Sequence, residues 1–275
     1  MSGALLSRIG LTWLEALAGS AGLTGEPPRT VRVADAPLGA ERARFIAVVP
    51  DADNRFPRAR AGEVGLDEAL ALARQVRRTL AEDAGRRPRP IIALVDVTSQ
   101  AYGVREELLG MHLAAAAAVD AYASARLAGH PLIALLVGKA ISGGFLTHGY
   151  QANRILALDS PGVQLHAMSQ QSAARVTRRT VEELERLGER VTPMAYDVRS
   201  FARLGLLHRL IGGVDAAHPT AADLERVRGE LVAAVAAARA GPPDLATRLS
   251  SPAALEGRAA SIAVRRRLAE QWDAC

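Results

Sequence analysis

Two short, dominantly apolar runs, Ile91 to Val97 and Leu132 to Val137, constrain the fold more than any other feature of the chain. Each follows a proline, Pro90 or Pro131, and neither alternates apolar with polar positions. A strand of this texture is buried on both faces, as happens in parallel sheets covered by helices. Helical patterns flank the two runs. Leu66 to Asp83 sets Leu66, Leu70, Ala73, Val76 and Leu80 at helical spacing, and a second stretch runs from about Arg105 to Ala128, stopping at Gly129. Its apolar positions form two stripes, which predicts cover on more than one side. Strands are also expected at Val31 to Val33 and Arg44 to Val49, around the turn Pro37-Leu38-Gly39, and at Arg154 to Leu158. The alternation predicts an α/β fold whose units recur roughly every 40 residues, in the manner of a spiral of βα turns.

Beyond about Pro161 the chain becomes rich in Arg and Glu, with helices expected at Val181 to Gly188, Arg199 to Leu204, Ala222 to Ala240 and Ala253 to Gln271. Pro242-Pro243 separates the last two. No low-complexity linker intervenes, so residues 1–275 read as one domain with a helical N-terminal segment (1–29) and a helical C-terminal part (178–275). A short helix around Leu11 to Leu17, docked by Trp13 and Leu17, accounts for the N-terminal apolar residues better than a signal peptide, since Arg8 and Glu15 interrupt them. No segment has the ~18 consecutive apolar residues of a membrane span.

Charge and cysteine exclude several classes. The net charge of +5 looks like a nucleic-acid signal, but Lys139 is the sole lysine and the arginines are dispersed with no recognition motif. Such a pattern reflects base composition at least as well as a binding face. The single cysteine, Cys275, leaves no intrachain disulfide and no thiolate zinc cluster, and points to a reducing cytoplasm. The six histidines show no metal-ligand spacing, and Asp51-Ala52-Asp53-Asn54 lacks the glycine and terminal glutamate of a calcium loop, so no metal is expected.

In α/β sheets ligands bind beyond the C-terminal ends of the strands, which directs attention to two loops. One is Thr98-Ser99-Gln100-Ala101-Tyr102-Gly103; the other, Gly138-Lys139-Ala140-Ile141-Ser142-Gly143-Gly144-Phe145, opens a helix with paired glycines. Amides at a helix start lack intrahelical partners, and glycine lets a ligand approach them, so the second loop suits an oxyanion hole. Tight helix-to-strand packing explains the same glycines equally well. A phosphate loop is excluded because Ile133 stands where its first glycine belongs. Ala140-Ile141-Ser142-Gly143-Gly144 departs from a serine-hydrolase elbow only at its first position, which keeps Ser142 in play as a nucleophile. His148, one turn after Gly144, and His166, in an extended segment, could each face a site or simply serve the structure. The Arg55, Arg58 and Arg60 cluster reads as a solvated loop or a phosphate contact.

Taken together, Pro90-Ile-Ile-Ala-Leu-Val-Asp-Val97, Ser99-Gln-Ala-Tyr-Gly103 and Gly138-Lys-Ala-Ile-Ser-Gly-Gly-Phe145 resemble the carboxyltransferase branch of the crotonase superfamily. With Trp13-Leu-Glu-Ala-Leu17 and the loop Asn54 to Leu66, the likeness is greatest to the gamma subunits of biotin-independent malonate decarboxylases. The resemblance implies a crotonase-like spiral of ββα units with a helical C-terminal extension. It also implies a beta-subunit partner holding the companion half of the active site, and a malonyl thioester carried on the CoA-derived prosthetic group of an acyl carrier subunit. Loss of CO2 leaves an enolate, and the resemblance assigns its stabilisation to backbone amides of Gly143 and Gly144 with the Ser99-Gln100-Ala101 loop. Ser142, Phe145, Tyr102, Lys139, His148 and His166 are the expected substrate contacts. Related loops read Asp-x-Pro-Gly where this chain has Thr98, Ser99 and Gln100. Biotin is not expected here, because Lys139 lacks Met-Lys-Met surroundings. Two other readings stay open: a scaffold that completes the partner and docks the carrier through arginines, and a Ser142 hydrolase.

Overall fold

A computed structural model describes residues 7–19 and 28–272. Cys275 and the flanks of the N-terminal helix lie outside that range. Seven strands form one sheet: β1 (Val31–Leu38), β2 (Glu41–Val48), β3 (Ile91–Val97), β4 (Leu132–Ile141), β5 (Arg154–Leu158), β6 (Gln164–His166) and β7 (Arg209–Ile211). Their order is β1-β2-β3-β4-β5-β7, with β6 attached to β4. Only β1 and β2 are antiparallel. The helices are α1 (Ile9–Ala18), α2 (Leu66–Glu82), α3 (Val104–Leu108), α4 (Met111–Leu127), α5 (Ser142–Thr147), α6 (Gln170–Thr177), α7 (Val181–Arg190), α8 (Val198–Arg203), α9 (Ala221–Ala240), α10 (Thr247–Ser250), α11 (Pro252–Gly257) and α12 (Ala259–Trp272).

The two apolar runs became the central strands. Every residue of β3 is buried, and β4 is buried except at Lys139, because helices cover both faces. On one side, α1 seats Trp13, Leu14 and Leu17 in the core, and the Trp13 indole donates to Ala216 O at 2.8 Å. On the other, α2 and α4 pack against each other and the sheet through Leu72, Val76, Ala118 and Tyr122.

Where sequence and structure differ, local chemistry explains it. β1 continues through Pro37 to Leu38, which an edge strand tolerates because its outward side needs no amide donor. The stretch expected as one helix from Arg105 to Ala128 is two, broken at Gly110, whose φ of +84° lies in the left-handed region. Likewise Gly257 and Arg258 divide the expected Ala253 to Gln271 helix into α11 and α12. β6 and β7 are too short and too polar to announce themselves, and β7 places a strand inside the part expected to be helical.

The most consequential difference is at Gly138. The chain was expected to turn there, but β4 carries on, pairing with β3 over 132–136, with β5 over 133–136 and then with β6 over 139–141. Asp96 is the cause. Its carboxylate accepts the Lys139 N–H (3.1 Å) and the Ser7 hydroxyl (2.5 Å), and a Cβ on residue 138 would lie 2.1 Å from Asp96 Oδ1. Only glycine lets the strand swing over this carboxylate.

Many arginines prove to be structural. Buried Arg44 bonds Asp35 (2.7 Å) and Glu82 (3.0 Å), and Arg248 donates to Tyr150 O and Ala152 O at 2.7 and 2.6 Å. No helix among the described residues is long and apolar enough to cross a membrane.

Candidate active site

Strands β3 and β4 end side by side, and the segments that follow them meet. After β3, Val64 forms a one-residue parallel bridge with Gln100: the Val64 N–H donates to Ser99 O (3.0 Å) and the Ala101 N–H to Val64 O (2.8 Å). Val64 is itself held in place by Glu68, a fully buried carboxylate that accepts from the Gly65 N–H (2.9 Å), the Thr30 hydroxyl (2.5 Å) and the Asn54 amide (2.8 Å). Burial raises the pKa of Glu68, and these three donors oppose that rise. The Asn54 to Leu66 loop therefore works as a brace for the Ser99-Gln100-Ala101 segment.

After β4, Ser142 takes a left-handed conformation (φ +59°), uncommon for a residue with a side chain, and turns the strand abruptly into α5. The first turn of α5 closes on the Ser99 loop. A Cβ on Gly144 would stand 2.4 Å from Ser99 O and 2.7 Å from its carbonyl carbon, which are backbone atoms that cannot swing aside. Gly143 abuts the Gln100 side chain, whose Oε1 would be 2.8 Å from an added Cβ. That oxygen accepts two hydrogen bonds, from the Gly143 N–H (2.8 Å) and from the Ser142 hydroxyl (2.8 Å). A carbonyl oxygen is thus held by a backbone amide and a hydroxyl between the two strand ends.

The expected residues separate on this geometry. Gly143, Gly144, Ser99, Gln100 and Ser142 come together. The Ala101 N–H is engaged by Val64, which removes it as a free donor. Phe145 is buried against the edge of Tyr150 (5.6 Å between centroids), and exposed Tyr102 lies under the Arg58 guanidinium (5.2 Å). Lys139 bears its side chain on the surface. His166 pairs in register with Ile141, beside Ser142, and stacks on Tyr196 with centroids 4.0 Å apart. Burial lowers its pKa. A cavity of about 340 Å³ opens here, lined by Ser142, Phe145, Leu146, His166, Phe201 and Arg258.

His148 is corrected outright: it is completely buried, with Nδ1 2.9 Å from the Tyr122 hydroxyl and Nε2 3.0 Å from Leu94 O, and cannot reach substrate. Burial depresses its pKa to about 4. The unfolded chain therefore takes up a proton near pH 6.5 that the folded one refuses, so stability declines as pH falls below that value. The expected loss is about 2 kcal/mol by pH 5 from this residue alone. Urea midpoints at pH 7 and pH 5 measure it, and His148→Gln should lessen the pH dependence.

Ser142 donates to the Gln100 amide rather than to a histidine, so no Ser-His pair forms among the described residues. The Arg55 to Arg60 cluster is committed as well: Arg55 pairs with Asp67 (2.6 Å) and Arg60 donates to Asn54 O (2.9 Å). No group of three potential metal ligands occurs among the described residues. Sequence reasoning missed Val64, Glu68 and Asp96; of these only Asp96, a carboxylate inside an apolar run, carried a visible signal.

A mostly parallel sheet whose neighbouring strands end in two abutting turns, one of them a glycine-bearing helix start, is the α/β fold of known carboxyltransferase structures. The transcarboxylase 12S structure has it at 17% identity, with a TM-score of 0.63 over 86% of this chain and 44% of that one. Closer relatives fix the family. The family model of the malonate decarboxylase gamma subunit matches residues 59–272, and the chain belongs to that family. It is 56% identical to a chain of a Pseudomonas malonate decarboxylase hetero-tetramer solved with coenzyme A, covering 96% of this chain and 99% of that one at a TM-score of 0.91. A chain of the Pseudomonas MdcD-MdcE hetero-dimer is 54% identical over the same shares, at 0.87. The malonyl-S-ACP:biotin-protein carboxyltransferase MADD of Malonomonas rubra is 38% identical over 188 residues, which is 66% of this chain and 64% of that relative. The match thus spans less than two thirds of that curated relative.

Proposed function

We propose that this chain is the gamma subunit of a malonate decarboxylase. With a beta subunit, it converts a malonyl thioester, borne by the CoA-derived arm of an acyl carrier subunit, into the acetyl thioester and CO2. The observation that carries the reading is the oxygen of Gln100, held at 2.8 Å by both the Gly143 N–H and the Ser142 hydroxyl. A thioester oxygen replacing it meets donors already aimed. As the C–C bond to the carboxylate breaks, its electron pair passes into the thioester as an enolate, and negative charge gathers on that oxygen. A preorganised donor there is worth ~3 kcal/mol in the transition state. A proton then converts the enolate carbon to the acetyl group.

The exposed ridge beside the site supports the two-chain reading. Tyr102, Val104, Leu108, Leu109 and Leu113 are 43% to 83% exposed and directly follow the Ser99 loop. An apolar surface of this kind marks a subunit contact. The beta subunit is its occupant, completing the site from the opposite side.

The Malonomonas relative supplies a second reading, in which the carboxyl group passes to a biotin protein instead of leaving as CO2. Product analysis separates the two. The purified two-chain complex, given malonyl-CoA and excess avidin, should release one CO2 per acetyl-CoA formed; carboxyl loss seen only with a biotinylated acceptor would establish the transfer reading.

A further inference from the structure

Helix α12 has no buried residue, although it is 14 residues long and the family match runs through it to residue 272. Isolated helices of this length are marginal in water, so this one needs a covering partner. Its apolar side chains suggest which. Val264, Leu268 and Trp272 recur every fourth residue and so form one stripe, 58%, 57% and 84% exposed. At 3.6 residues per turn, Arg265 borders the stripe on one side and Arg267 on the other. Neither arginine has an ion-pair partner among the described residues. The helix also starts at the site: Arg258, the residue before it, lines the cavity that contains Ser142, Phe145 and His166.

From this we infer that α12 is the docking strip for the acyl carrier protein, which presents an acidic helix to the two arginines and an apolar contact to the stripe while its thioester arm enters the cavity. The inference rests on the function proposed above. Charge complementarity selects this occupant, since a basic rim around a narrow apolar stripe fits an acidic surface. Size favours it too. Three large apolar groups make too small a patch for a permanent subunit interface but suit a carrier that must come and go. The larger apolar ridge at 102–113, with five exposed large side chains against three, is the better seat for the beta subunit.

The test uses the intact two-chain complex with Arg265→Glu/Arg267→Glu and, separately, Leu268→Ser in this chain. With malonyl-loaded carrier protein as substrate, KM should rise about tenfold in both variants, and its dependence on salt should flatten in the charge-reversed one only. With malonyl-CoA, which needs no docking, kcat/KM should stay unchanged, and the complex should elute as before. Carrier binding is also measured directly by titration calorimetry, so the result does not depend on turnover. Equal effects on both substrates, unaltered carrier binding, or loss of the beta subunit from the complex would each overturn the assignment. Arginine-dependent binding to anionic lipid vesicles with carrier affinity unchanged would overturn it in favour of a membrane contact. A wild-type complex that binds carrier through α12 yet decarboxylates neither substrate would refute the function while leaving the docking strip intact.

Discussion

Gly144→Ala should reduce decarboxylation by about 100-fold or more while the two-chain complex still assembles. The added Cβ would lie 2.4 Å from Ser99 O and 2.7 Å from the carbonyl carbon, so either the first turn of α5 or the Ser99 loop must retreat. Either movement misplaces an amide donor relative to the thioester oxygen. Losing one such donor costs about 3 to 4 kcal/mol of transition-state stabilisation in other enzymes that use them. The effect should fall on kcat more than on KM, because charge gathers on the oxygen only as the C–C bond breaks. Gln100→Ala provides the contrast. It removes the side-chain oxygen that competes for the Gly143 amide and the Ser142 hydroxyl, without crowding the turn. Since it frees two such hydrogen bonds, each worth about 1 kcal/mol net, KM should fall by up to about 30-fold with kcat retained. Wild-type turnover by Gly144→Ala in an assembled complex would instead support the scaffold reading.

The second large effect concerns the subunits. The isolated chain should be inactive, and adding the beta subunit should create the activity. This chain offers one set of donors and a cavity open to solvent, whereas stabilising an enolate well requires donors in a water-excluded site. The exposed Val104 (81%) and Leu108 (83%), on the segment that follows the Ser99 loop, offer such a partner an apolar surface.

Much of this was legible in the sequence. The continuous apolar character of β3 and β4 revealed a parallel sheet, because burial on both faces leaves no polar alternation. The paired glycines marked the turn that closes on the Ser99 loop, yet pattern alone could not separate packing from chemistry. In the structure Gly144 admits the Ser99 carbonyl and, by doing so, sets the spacing of the two loops. Contacts between residues distant in sequence were not legible. Asp96 bending β4 through Gly138, and Glu68 bracing Val64 against Gln100, are buried polar contacts that no local period encodes. His148 misled because helical spacing from Gly144 suggests a shared face, whereas α5 ends at Thr147 and the histidine turns into the core. Apart from β7, the C-terminal part (178–275) was legible as helix, but not in where it breaks or in what α12 leaves uncovered.

The central claim is that this chain supplies one half of a malonyl-thioester decarboxylase. Its most direct measurement is CO2 release from a malonyl thioester by this chain alone, by the beta subunit alone and by the two combined. We expect release from the combination only, with one acetyl thioester formed per CO2. Equal activity in the beta subunit without this chain, or turnover by this chain unaided, would contradict it.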